Sequence, residues 1–191
     1  MRTKDENKRR AIRDAAIAVC VESGLGGASI ARIAERAKLS QGTIYLYFAG
    51  KDELLDEVFL EVKREIHARL MDAARSGDSA KAAIKAMWFA LFDHANERPL
   101  DFAFAEHVSA ARILDGRASP EIETMSHEIA QVIVDAVRDG TLIDLPAETL
   151  SAILSGPALQ MARQAIVRKE PPSRDTLDAA FEAIWRGIAR S

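Results

Sequence analysis

The sequence predicts an all-α protein of about nine helices, and three observations carry that expectation. Apolar residues return at intervals of three and four along nearly the whole chain, and no stretch alternates with period two. Most Gly and Pro residues stand between these runs, where helices start and stop. The composition, 48% hydrophobic and 29% charged over 191 residues, is that of a folded chain with enough apolar surface for a core.

The elements follow in order. Arg10 to Ser23 carries Ile12, Ala16, Val19 and Cys20 on one face, and Gly24 offers a stop. Ser29 caps a short helix bearing Ile30, Ile33, Ala34 and Ala37; Ser40 caps another that runs to about Tyr47. Asp52 to Ser76 is one long helix with Leu54, Val58, Val62, Ile66 and Leu70 along it, and Glu65 and Arg69 at pairing distance on its polar side. Ile84, Met87, Trp88, Leu91, Phe92 and Ala95 make the next stripe, up to Pro99. Phe102, Phe104, Ala105 and Val108 belong to a shorter helix that ends near Asp115-Gly116. Ser119-Pro120-Glu121 is a helix start, with a cap, a proline in the first turn and an acid at the positive end. The helix it opens runs to Gly140. Leu150, Leu154, Met161 and Ala165 mark the following helix, in which Gly156-Pro157 predicts a kink or a split. After Pro171-Pro172 comes a last stripe of Leu177, Phe181, Ile184, Trp185 and Ile188.

Charge is divided unevenly. Residues 1–51 hold ten Lys or Arg against five Asp or Glu, whereas residues 52–191 hold sixteen against twenty-four. A basic head on an acidic body suits a polyanion-binding end, although solvated faces cluster charge by chance as well. One cysteine excludes an internal disulfide framework and a Cys-cluster metal site. The polar opening MRTKDENKRR has no signal-peptide core after it, and no run approaches a membrane span, so a reduced, cytoplasmic protein is expected. Nucleophile-elbow, Walker A and dinucleotide-loop motifs are absent, and the four histidines include no Glu-x-x-His pair. Glu123 and His127 are spaced as many surface pairs are. No enzymatic activity, metal or cofactor is expected.

The informative feature is the pair of short helices around Lys38-Leu39. A tight turn between a packing helix and a capped second helix is the plan of a helix-turn-helix, whose second helix enters the major groove. Gln41, Thr43, Tyr45 and Tyr47 supply hydrogen-bonding side chains there, and Lys51 follows on a loop where it can meet phosphate. Tyr45 could equally belong to the core. Gly42 suits close approach to the DNA backbone.

These residues resemble the DNA-binding head of the TetR/AcrR family of transcriptional regulators. The resemblance rests on I-R-D-A-A at 12–16, G-L at 24–25, A-S-I-A-R-I-A at 28–34, A-K-L-S-Q-G-T-I-Y-L-Y-F at 37–48 and K-D-E-L-L at 51–55. It implies DNA contacts by Ser29, Arg32, Ser40, Gln41, Gly42, Thr43, Tyr45, Tyr47 and Lys51, on a palindromic double-stranded operator. It further implies a head over 1–51 and a helical effector-binding and dimerisation domain over 52–191. Two departures stand out: Lys38 replaces the family's usual turn glycine, and Cys20 replaces a common aromatic. If position 38 needs a left-handed backbone, lysine there costs on the order of 1 kcal/mol.

The body has no diagnostic motif. The resemblance implies an effector pocket among its middle helices, and its bulky residues supply candidates to line it: Trp88, Phe92, Phe104, Met125 and Met161, with His107 for a polar contact. Plain core packing is the competing reading for each. His94 and Arg163 are further polar candidates. A homodimer is expected through the helices Ala147–Lys169 and Ser173–Arg190, with Leu159, Phe181, Ile184 and Trp185 in the seam of a four-helix bundle. The expectation is a DNA-binding regulator, a repressor released by a small, largely hydrophobic ligand. A helical-bundle enzyme or ligand carrier, and an architectural DNA binder without effector, are the alternatives.

Overall fold

The computed structural model describes residues 2–115 and 119–190. Among them are nine α-helices: α1 (Arg2–Gly27), α2 (Ile30–Ala37), α3 (Gln41–Tyr45), α4 (Lys51–Arg75), α5 (Ala80–Glu97), α6 (Pro99–Asp115), α7 (Pro120–Arg138), α8 (Ala147–Arg168) and α9 (Arg174–Ile188). The described residues form no strand beyond a single antiparallel bridge between Leu142 and Ala189. None of the described helices is long and apolar enough to cross a membrane. The turn expected at Asp115-Gly116 reaches outside the described residues at Gly116.

Two compact units divide the chain. The first comprises Met1–Lys63 and Leu100–Ala118, and the second Arg64–Pro99 and Ser119–Ser191. They do not coincide with a division at 51/52. The first unit takes the opening half of α4 and, from far along the chain, α6. A buried ion pair helps explain why α6 belongs there. Arg13 of α1 donates from Nη2 to Oδ2 of Asp101, in the first turn of α6, at 2.9 Å. Both residues are almost fully buried. Such a pair adds little net stability, but removing one partner strands the other's charge at a cost of about 3–5 kcal/mol.

The rest of the first unit's core is apolar. Ile12, Ala16, Val19 and Cys20 of α1, Ile30, Ile33 and Ala34 of α2, and Ile44 of α3 are all buried, as are Phe48, Leu54, Val58 and Val62. Burial pushes the Cys20 thiol up to about 11. Helix α1 begins eight residues before the expected Arg10, because its polar opening is tied down by segments distant in the sequence. Arg9 bridges Glu57 at 2.6 Å and lies over the Phe48 ring, and Asp5 accepts the Tyr47 hydroxyl. At Gly24 the backbone leaves helical geometry (φ 71°, ψ 168°), so the expected stop is a break before Gly27.

In the second unit α8 packs on α5, α7 and α9. Trp88 sits edge-on to Phe181 at 5.9 Å between centroids, and Phe181 stacks on Trp185 at 5.8 Å. Helix α8 continues through Pro157 instead of splitting. Proline removes the bond to the carbonyl four residues back, but Leu150, Leu154, Ala158 and Ala162 are buried on either side of it, and this packing holds the helix together. In the same turn the Trp88 indole N–H donates to the Leu154 carbonyl at 2.9 Å. The expected Glu65–Arg69 pair is replaced by contacts between helices: Arg69 clasps Glu97 at 2.6 and 2.9 Å, and Arg98 reaches Glu65 at 3.4 Å. Ser119 stands at the start of α7 but makes no side-chain cap bond.

Candidate nucleic-acid interface

Local chemistry sets the two short helices of the head. The Ser29 hydroxyl accepts from the Arg32 amide at 3.3 Å and starts α2; the Ser40 hydroxyl accepts from the Thr43 amide at 3.1 Å and starts α3. Between them the chain reverses at Lys38, which lies in the left-handed region (φ 57°, ψ 41°). The Lys38 amide bonds back to Ala34 and Glu35, and the Leu39 amide to Ala34 at 2.9 Å, closing a left-handed cap. A glycine would adopt this backbone without strain, so the lysine holds it at the cost expected from the sequence.

Helix α3 has two unlike sides. Ile44 and, beyond the helix, Phe48 are buried. On the other side Gln41, Gly42, Tyr45 and Leu46 are exposed, Tyr45 at 55% and Leu46 at 83%. Tyr45 therefore does not belong to the core. Thr43 is half-buried, with its hydroxyl 2.9 Å from that of Ser40. Sequence reasoning passed over Leu46. The signal was nevertheless present: with Ile44 and Phe48 four residues apart and inward, position 46 must face out.

The remaining candidates lie outside α3, and three of them, Arg32, Tyr47 and Lys51, have a donor engaged within the protein. Ser29 is half-buried, and Arg32 is exposed and donates to the Gly27 carbonyl at 2.9 Å. Lys51 is the first residue of α4, not part of a loop, and its Nζ donates to the Leu25 carbonyl at 3.4 Å. Tyr47 is half-buried and donates its hydroxyl to Asp5, a bond that also holds the phenol above its ordinary pKa.

The candidate effector residues do not form a comparable cluster. Trp88, Phe92 and Met125 are buried in the second unit and Met161 is half-buried there. Phe104 is fully buried in the first unit, and His107, also in that unit, is exposed. His94 is buried and Arg163 exposed. The second unit has an open groove of about 580 Å³ lined by Ala82, Lys85, Ala86, Phe89, Arg174, Asp175 and Asp178, none of them a candidate. Its two cations are paired: Lys85 meets Asp178 at 2.5 Å, and Arg174 meets Asp93 at 2.7 Å while covering the Phe89 ring. No group of three or more His, Cys, Asp or Glu among the described residues could hold a metal ion.

Two of the four expected seam residues also differ from expectation. Phe181 and Trp185 are buried inside their own unit, so they form core and not seam. One stripe of α9, at intervals of four, exposes only small residues, Ala179, Ala183 and Gly187, while Arg174, Asp175, Thr176 and Arg186 are exposed beside it. On α8 the exposed residues include Ala152, Ile153, Gly156 and Val167, the last at 82%.

Comparison with known proteins covers both parts of the chain. Residues 12–58 match the family described as bacterial regulatory proteins, tetR family, and residues 59–190 match the tetracyclin repressor-like C-terminal domain. The HTH-type transcriptional regulator BetI of Burkholderia thailandensis is 34% identical over 89 residues, which are 46% of this chain and 46% of BetI. The fatty acid metabolism regulator protein of Bacillus subtilis is 34% identical over 70 residues, 37% of this chain and 36% of that protein. The chain thus spans less than half the length of the curated relatives it matches. A crystal structure of a TetR family transcription regulator from Marinobacter aquaeolei superposes with a TM-score of 0.89, covering 100% of both chains at 22% identity, a likeness of fold.

Proposed function

The chain belongs to the tetR family of bacterial regulatory proteins, and we propose that it works as a cytoplasmic, homodimeric repressor that leaves a palindromic operator when a small, largely hydrophobic effector binds. The observation that carries the DNA-binding part is the exposed side of α3. A five-residue helix with Gln41, Gly42 and Tyr45 turned outward presents a narrow ridge of hydrogen-bonding groups that a major groove admits. Gln41, Thr43 and Tyr45 read base edges. Ser29, Arg32, Ser40, Tyr47 and Lys51 hold phosphate, and Gly42 lets the backbone come close. The functional boundary is drawn at 51/52, since the contacts we assign lie within 1–51.

One such helix reads too few bases for a specific site, so two heads act together. The small-residue face of α9 and the exposed face of α8 support a dimer through Ala147–Lys169 and Ser173–Arg190, because residues without long side chains allow helices of two copies to approach closely. The effector part rests on the second unit's apolar and aromatic helices, where Trp88, Phe92, Met125 and Met161 supply the apolar walls that ligand binding has to open. A ligand that favours the DNA-incompetent state by about 1–3 kcal/mol weakens operator binding roughly 5- to 150-fold, and DNA weakens ligand binding by the same factor.

The test is selection of duplexes from a random pool, followed by titration of the selected site at several salt concentrations. Two half-sites one helical turn or a multiple of it apart, with affinity falling steeply in salt, are expected. Lys51→Ala weakens binding to all sequences and lowers the salt slope by about one; Gln41→Ala narrows the gap between operator and random DNA. Equal affinity for every duplex at moderate salt refutes the reading.

A further inference from the structure

We propose that Leu46 is a specificity-determining residue that recognises the methyl group of a thymine in the major groove. The inference deepens the DNA-binding reading above and depends on it. Leu46 is 83% exposed although its chain neighbours at two removes, Ile44 and Phe48, are buried. Its backbone is helical (φ −73°, ψ −19°) and its amide donates to the Thr43 carbonyl, so it prolongs α3 by one position. At that position it stands one turn beyond Gly42 and directly beside Tyr45, on the side of α3 assigned to the groove.

Gly42 adds an independent observation. A Cβ built there meets only the Ser40 hydroxyl, at 3.8 Å, an ordinary contact. The fold therefore does not require glycine at this place, one helical turn before the leucine. The exposed ridge consists of a gap at Gly42 followed by an apolar knob at Leu46, flanked by the Tyr45 ring. Leucine neither donates nor accepts a hydrogen bond. Among the base edges of the major groove, only thymine offers an apolar group, its C5-methyl. A leucine presented to that groove discriminates by covering this methyl and by failing to satisfy the polar edges of the other bases.

Uracil substitution isolates the methyl, because it removes that group and leaves the base pair's hydrogen bonds unchanged. The operator selected by the full-length protein is resynthesised with each thymine in turn replaced by uracil. Each duplex is then titrated with wild type and with Leu46→Ala. Position 46 is exposed, so the variant keeps the wild-type melting temperature. For the wild type, uracil at one symmetry-related position is expected to cost roughly fourfold per half-site, the worth of one covered methyl group. The same substitution costs Leu46→Ala nothing, and Leu46→Met retains part of the effect. If the wild type selects an operator but no uracil penalty disappears in Leu46→Ala, this inference is overturned and the DNA-binding reading stands. If the wild type selects no operator, both fall.

Discussion

The outer sides of α3 and α9 stand opposite well-packed apolar sides, yet they hold out different things. Helix α3 turns out Gln41, Tyr45 and Leu46, side chains long enough to enter a cleft. Along one stripe between exposed Arg174 and Arg186, helix α9 turns out Ala179, Ala183 and Gly187, which reach nowhere. The contrast reflects the surfaces each is proposed to meet. A DNA groove is recessed and chemically varied, so recognition needs reach and hydrogen-bonding groups. Another helix is a ridged cylinder, and close approach to it needs side chains to be short. Exposure alone does not distinguish the two faces. The size and chemistry of what is exposed do.

The largest effect should come from filling the α9 face. Ala183→Arg places a long charged group where a partner helix is proposed, and the protein should run as a folded monomer in sedimentation while operator affinity drops by about three orders of magnitude. A folded dimer with normal affinity would move the interface elsewhere. Next comes the other side of the same helix. Trp185→Ala empties the space stacked on Phe181 and should cost about 3–5 kcal/mol in urea unfolding. An unchanged midpoint would mean that Trp185 is not core. Tyr45→Ala should then leave stability unaltered and cost about 1–3 kcal/mol of operator affinity, measured by fluorescence anisotropy. A matching loss of stability would assign Tyr45 to the fold.

The smallest change is at the turn. Lys38→Gly relieves the left-handed lysine and should stabilise the head by about 1 kcal/mol, visible as a higher melting temperature. Lys169 ends α8 with nearly the same backbone (φ 54°), so Lys169→Gly should gain a similar amount. If Lys38→Gly alone also weakens DNA binding in a salt-dependent way, the exposed lysine acts on phosphate, and the strain is retained for function. If the two substitutions behave alike, the turn lysine has no such role.

Much of this was legible from local chemistry. Ser29 and Ser40 announce α2 and α3 because a cap acts on amides only two or three residues away. The stripes of α4, α5 and α7 are visible because helical period is a property of neighbouring residues. Motif spacing made the head readable as a resemblance, and it put Lys38 at a turn where a left-handed backbone, if required, strains a lysine. The polar beginning of α1 was not legible, because its helix depends on Phe48, Tyr47 and Glu57, roughly forty to fifty positions on.

The sequence by itself determined where the helices lie, how most of them begin and end, and which residues share a face. Tertiary structure alone decided what covers each face. Phe181 and Trp185 read as one apolar stripe whether a neighbouring helix of the same chain or a second copy buries it, and packing put them inside. Trp88 reads alike as cavity wall or core; its indole N–H found the Leu154 carbonyl. Pro157 should break an isolated helix, and buried neighbours on both sides carried α8 through it. Periodicity repeats every turn and can be read from a few neighbouring residues. Burial and pairing are set by groups that come together only when distant segments pack, as Arg13 and Asp101 do across 88 positions.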